Sequence, residues 1–438
     1  MKNSFHSRRQ VLKGGAAAAA LGGASLLAGC ATPSTSSQQA SVPTQKIGRV
    51  VIVGGGFGGA TAAKYISMWG QGAIEVVLIE RERSFYSCPI SNLVLSGTQK
   101  IDYVQRDYEG LKNRGILVIN DEVTSIDPVK QTVSLRKVAD LRYDRLVVSP
   151  GVEFLFDQIA GLNAEAQKTT LHAWKAGAQT VALRAQLEAM PNGGTYILSI
   201  PKAPYRCPPG PYERACQVAA YFKREKPKSK VLLLDANPDV QSKKGLFMKV
   251  WKEKYDGILT YTPNMSVTEV DAKTKTLATE VGEKIKGDVL NIVPPQRAGE
   301  IAKAGGLINM NNLWCGVDWV TMESTAVPRV HVLGDATFAA PGMPKSGHMA
   351  NQHGKVCAAA IVELMNGRTP LPLTMSNTCY SFTTETEVVH VASVHRFDPE
   401  KKTMVMVEGA GGLSKEPTEL EGSYAYAWAQ NIWADMLT

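Results

Sequence analysis

Two cysteines stand in settings where a thiol would have chemistry to do. Cys207 lies in "YRCPPGPYERAC" (205–216), a loop stiffened by Pro208, Pro209 and Pro211, and Cys379 lies in "SNTCYSF" (376–382). If the fold brings both to one place, they form a redox disulfide that a sulfur nucleophile can open. Spacing alone does not pair them, and a buried, inert cysteine is the alternative for each. The other cysteines are Cys30, Cys88, Cys216, Cys315 and Cys357. None of the seven stands in a C-x-x-C or C-x-x-C-H arrangement, so the chain offers no attachment for a c-type haem. No Cys/His cluster has zinc spacing either.

Residues 48–80 must position whatever these thiols act on. "RVVIVGGGFGGATAAKYISMWGQGAIEVVLIE" (49–80) alternates an apolar strand, a glycine loop, a helix and a second strand. Gly54, Gly56 and Gly59 fit G-x-G-x-x-G, and Glu80 ends the second strand 21 positions later. The glycines allow a tight turn and close backbone approach to a pyrophosphate, and the acid accepts from a ribose. Two later segments look like the second and third FAD signatures of two-dinucleotide-domain flavoproteins: "YDRLVVSPGV" (143–152), turning at Gly151, and "PRVHVLGDAT" (328–337), ending in Gly334-Asp335. The helix expected after Asp335 would aim its positive end at the flavin ring. Between these pieces, "TYILSI" and "KVLLLD" with Asp235 give the rhythm of a second nucleotide domain. That domain lacks a glycine loop, and prolines remove N–H donors where an anion would need them, which argues against NAD(P)H as a substrate.

The expected class is α/β: two Rossmann-like dinucleotide-binding-type domains, the FAD domain split in sequence, plus a C-terminal α+β interface domain. Residues 47–160 and 293–370 form the FAD domain, 161–292 the second domain and 371–438 the last. The 438-residue chain is 44% hydrophobic and carries a net charge of +8, half of it from Lys2, Arg8, Arg9 and Lys13 in the leader. The rest is too mild and too scattered to argue for nucleic acid. "SRRQVLKGG" followed by a short apolar run reads as a twin-arginine export signal over 1–29, and hence a periplasmic location. "LLAGC" resembles a lipobox that would lipidate Cys30 and tether the chain to a membrane through 30–46; ordinary cleavage that discards Cys30 is the alternative.

Several unusual stretches then coincide. "RCPPGPYERA", "PKSG" (344–347), "VPPQRAG" (293–299), "NTCYS", "HAWKAG" (172–177) and "YAYAWAQNI" (424–432) together resemble the flavoprotein subunit of flavocytochrome c sulfide dehydrogenase, over about 47–438. The resemblance implies that Cys207 and Cys379 form a redox disulfide beside the flavin, with Glu213 as proton acceptor and Trp428 as the neighbouring aromatic. It implies that Cys88, in "FYSCPISN", tethers FAD covalently, and that Val123 and Lys345 complete the cofactor-binding set. A solvated helix-start acid is the alternative for Glu213, and core packing for Trp428. The implied reaction is oxidation of sulfide at the disulfide, with electrons passing through FAD to a c-type cytochrome subunit. A sulfide:quinone oxidoreductase and a non-catalytic flavin electron-transfer subunit are the rivals. A pyridine-nucleotide disulfide reductase is disfavoured by the proline loop. Cys216, Cys315 and Cys357 take no role.

Overall fold

The run "VVIV" offers no polar face, and the structure buries Val50, Val51 and Ile52 completely in the middle of a parallel sheet. This computed structural model describes residues 46–438; Arg8, Arg9, Cys30 and the leader expectations attached to them lie outside the described residues. The sheet runs Val330–Val332, Arg145–Val148, Gly48–Val53, Ile74–Ile79 and Leu117–Ile119, with every neighbour parallel. Strand order reverses at Gly48–Val53, so its carboxyl end and that of Arg145–Val148 frame the crevice where such sheets hold ligands. Glu80 lies one residue beyond the strand Ile74–Ile79, its backbone N–H still bonded to Ile119 O (3.0 Å) of the neighbouring strand.

The helix Phe57–Trp69 leaves the glycine loop and packs on the helix Gly347–Met365. Small residues allow the approach: a Cβ on Gly354 would sit 2.6 Å from the Gly58 carbonyl oxygen.

The second domain repeats the plan with four parallel strands in the order Leu259–Thr262, Lys230–Asp235, Thr195–Ile200 and Val289–Ile292. Each domain also carries a three-stranded antiparallel ribbon, Val123–Asp127 leading one and Val267–Asp271 the other. The chain crosses between the domains on an antiparallel pair, Val152–Phe154 with Gln296–Ala298.

The last segment is an antiparallel sheet of Met375–Phe382, Val388–Asp398 and Thr403–Met406, followed by the helix Glu419–Leu437. Asp435 fastens that helix to the first domain. It accepts from Tyr65 Oη (2.5 Å) and Asn351 Nδ2 (2.7 Å) and pairs with Lys355 Nζ (2.9 Å). Gln217 and Tyr255 of the second domain donate to the carbonyls of Phe382, Thr383 and Thr384. All three segments therefore meet at the strand Met375–Phe382. No described helix is long and apolar enough to cross a membrane.

Candidate active site

A cavity of about 590 Å3 opens where the three segments meet. One end is the glycine loop. Gly54 takes φ +97°, and a Cβ there would lie 2.4 Å from Ser149 O; a Cβ on Gly59 would lie 1.9 Å from Gly54 O. Those two glycines close the turn. Gly56 does the opposite: nothing lies within 4 Å of where its Cβ would be, so the cavity reaches the backbone at the start of the helix Phe57–Trp69. Glu80 lines this end while its two oxygens accept the N–H groups of Gly55 (2.6 Å) and Glu82 (2.8 Å). Val123 and Gly151 line the same cavity.

Further in, Gly334 and Asp335 follow the strand Val330–Val332. Asp335 Oδ1 is buried and has no hydrogen-bond partner. A buried orphan acceptor on a cavity wall is costly unless a ligand donates to it. That orphan and the open backbone at Gly56, at the start of the helix Phe57–Trp69, fit a flavin nucleotide, whose hydroxyls and phosphates would supply the missing partners. Lys345 is buried, its Nζ donating to Asp335 O (2.9 Å) and lying 3.7 Å from the Trp314 ring centroid; burial pushes its pKa down to about 8. Ser346 caps the next helix by accepting from Met349 N (3.0 Å), which sets Gly347 and His348 against the cavity.

The two cysteines, 172 positions apart in sequence, line this one cavity. Cys207 is held by its N–H bond to Lys345 O (2.7 Å) and takes φ +59°, a left-handed conformation uncommon outside glycine. Burial pushes its thiol well above the ordinary cysteine range, and the neighbouring Cys379 and Glu213 push it further. Cys379 comes in on the strand Met375–Phe382, with its Sγ 3.5 Å from Asn377 Oδ1. The two sulfurs are unbonded thiols in the structure.

For Glu213 the solvated alternative does not hold. It stands in the first turn of Gly210–Glu225, yet it is buried, not solvated, because the strand Met375–Phe382 covers that turn. Its carboxylate accepts from Phe382 N (3.0 Å) and Asn92 Nδ2 (3.0 Å). Burial raises its pKa, with those two bonds opposing. Trp428 is half-buried on the C-terminal helix and lines the cavity, 6.0 Å from the Tyr380 ring and 5.8 Å from His348.

Cys88 lines the cavity with Arg206 Nη2 2.5 Å from its sulfur. Arg214, fully enclosed, donates to Asn92 Oδ1, His172 O, Ala173 O and Asn291 Oδ1 and lies 4.6 Å over the Trp174 ring. Trp174 in turn donates to Arg206 O (3.2 Å). Asn92, Trp174, Arg206, Arg214 and Lys243 were not among the residues expected from sequence, although "FYSCPISN", "HAWKAG" and "RCPPGPYERA" contain the first four. In the second domain, Asp235 is committed inside the protein: it accepts from Tyr212 Oη (2.8 Å), Tyr261 Oη (3.1 Å) and Asn237. Cys216 is buried and accepts from Trp251 Nε1 (3.3 Å), while Cys315 and Cys357 are buried elsewhere.

Three family models match this chain. Residues 180–294 match the family model "Sulfide dehydrogenase [flavocytochrome c] flavoprotein chain, central", and residues 372–437 match "Flavocytochrome c sulphide dehydrogenase, flavin-binding". Residues 48–189 match the pyridine nucleotide-disulphide oxidoreductase model. A sulfide dehydrogenase [flavocytochrome c] flavoprotein chain of Chlorobaculum thiosulfatiphilum is 52% identical over 46 residues, which is 94% of that sequence and 10% of this chain. A mitochondrial sulfide:quinone oxidoreductase of Dictyostelium discoideum is 24% identical over 69% of this chain and 68% of its own. The sulfide:quinone oxidoreductase structure from Aquifex aeolicus superposes with a TM-score of 0.71 at 18% identity, covering 89% of this chain and 91% of that one.

Proposed function

The chain belongs to the flavoprotein family of flavocytochrome c sulfide dehydrogenase, whose members are sulfide-oxidising flavoproteins, and we propose that Cys207 and Cys379 are its reaction centre. The observation that carries this reading is the convergence of these two distant cysteines with a buried carboxyl on one flavin-sized cavity. In the working form the two sulfurs are bonded. Hydrosulfide attacks that disulfide, leaving a persulfide on one cysteine and a thiolate on the other. Glu213 takes the proton when the substrate arrives as hydrogen sulfide; its raised pKa suits a carboxylate that must accept one. The residues named above would hold FAD, which takes electrons in pairs and releases them singly. Cys88, facing the cavity, is the proposed covalent tether; flavin should stay with acid-denatured wild type and leave a Cys88→Ser variant.

The proposed acceptor is a c-type haem on a separate subunit. A quinone is the second reading, favoured by the likeness to two sulfide:quinone oxidoreductases. Reduction of cytochrome c against decylubiquinone separates them. Export by the twin-arginine route to the periplasm and lipidation of Cys30 complete the proposal, and intact mass of the purified protein tests the lipid. For the centre itself, Cys207→Ser and Cys379→Ser should each retain the flavin spectrum and lose its bleaching by sulfide. Normal bleaching in either variant would exclude the disulfide.

A further inference from the structure

Lys243 occupies a place that its sequence context hides. "SKKGLF" (242–247) reads as a solvated turn before a helix, yet Lys243 is only 5% exposed. It takes φ +57° as the residue preceding the helix Lys244–Lys254, a conformation side chains beyond glycine adopt at a cost. Its ammonium donates to Cys379 O (2.8 Å), Ser381 Oγ (2.8 Å) and Val389 O (3.4 Å). All three acceptors are uncharged. A buried cation held only by neutral oxygens is unfavourable unless an anion forms beside it. The titratable groups that face it are Cys379 on its strand, Glu213 and Cys207 on and before the proline-loop helix, and Glu421 on the C-terminal helix. Burial lowers its pKa to about 8, and those four groups favour the charged form.

We propose that Lys243 is a positioning residue for the redox cysteines, making Cys379 the leaving thiolate when sulfide opens the disulfide. This rests on the disulfide reading above. In the step, hydrosulfide attacks Cys207 Sγ, the Cys207–Cys379 bond breaks, and a new S–S bond forms, leaving Cys207–S–SH. The electron pair of the broken bond stays on Cys379 Sγ, whose negative charge falls beside the Lys243 ammonium. A better-stabilised leaving thiolate departs faster, so the side chain sets which sulfur is attacked. Cys207 also faces Lys243 and has Arg206 beside it, but the Arg206 guanidinium is hydrogen-bonded to the Cys88 sulfur, whereas Lys243 is bonded directly to the strand that carries Cys379.

The test traps the products of one equivalent of sulfide with iodoacetamide and maps both peptides by mass spectrometry. In wild type the alkylated persulfide should lie on Cys207 and the simple thioether on Cys379. Lys243→Gln and Lys243→Met should scramble that assignment. Lys243→Arg should keep the wild-type pattern. Should both neutral variants lose flavin, the wild-type assignment alone decides. Persulfide on Cys379, or evenly on both, overturns the inference while leaving the disulfide reading intact. An unchanged split in a flavin-loaded Lys243→Gln does the same. An oxidised protein with no Cys207–Cys379 linked peptide overturns the reading itself, and this inference with it.

Discussion

Glu213 shows how much a single side chain depends on what covers it. As the fourth residue of an amphipathic helix it invites a solvated reading, yet Asn92 and the strand Met375–Phe382, more than 160 positions on, cover it. Its burial raises the carboxyl pKa, so the folded protein holds that proton to higher pH than the unfolded chain. The sign follows: the protonated form stabilises the fold at low pH, and that contribution fades as pH rises through the folded-state pKa. For catalysis the useful form is the carboxylate. Glu213→Gln should therefore lower sulfide-dependent flavin reduction by about 100-fold. It should also remove the acid limb that Glu213 contributes to the pH profile of kcat/KM. An unchanged limb in the variant would assign the proton to another group. Cys207, Cys379 and Trp428 stood out in sequence because their surrounding motifs are unusual, and all three line the cavity. Lys243, Arg206 and Arg214 did not, since a charged residue in a polar context reads as surface until the tertiary contacts are seen.

The glycine loop is the element most completely written in the sequence, because each glycine answers a local steric demand. The structure separates those demands. Gly59→Ala would drive a Cβ to 1.9 Å from Gly54 O, a backbone atom that cannot give way, and should yield no flavin-loaded protein. Gly56→Ala meets no atom within 4 Å, so the protein should fold normally while its flavin content, read from visible absorbance, drops about tenfold or more. Full loading of Gly56→Ala would contradict the assigned cradle. The second domain was equally readable as strands and helices. Its acid was not, because Asp235 faces Tyr212 and Tyr261, and neither pairing has a local signature.

At the scale of the molecule, the site exists only while three segments stay docked. The first supplies the flavin cradle, the second Cys207 and Glu213, the third Cys379 and Trp428. Asp435 is the fastening of the third onto the first. Burial opposes its charge, but the bonds from Tyr65, Asn351 and Lys355 outweigh that and hold its pKa below the ordinary carboxylate value. Its stabilisation is thus present above about pH 4 and lost as pH falls through the folded-state pKa. Asp435→Asn should cost about 1–2 kcal/mol at neutral pH. Thermal unfolding and hydrogen exchange across 419–437 should show the loss, and the gap to wild type should close in acid. A gap that persists unchanged in acid would mean the helix is held by packing alone. Such long-range fastenings carry no spacing that a sequence reveals. In the proposed reaction sulfide is oxidised at the Cys207–Cys379 pair and its electrons leave through the flavin. Anaerobic titration with sulfide, followed by oxidised cytochrome c, tests it most directly. The account predicts stoichiometric bleaching of the flavin that cytochrome c reverses and that Cys207→Ser abolishes; a flavin that sulfide leaves oxidised in the wild-type protein would contradict it.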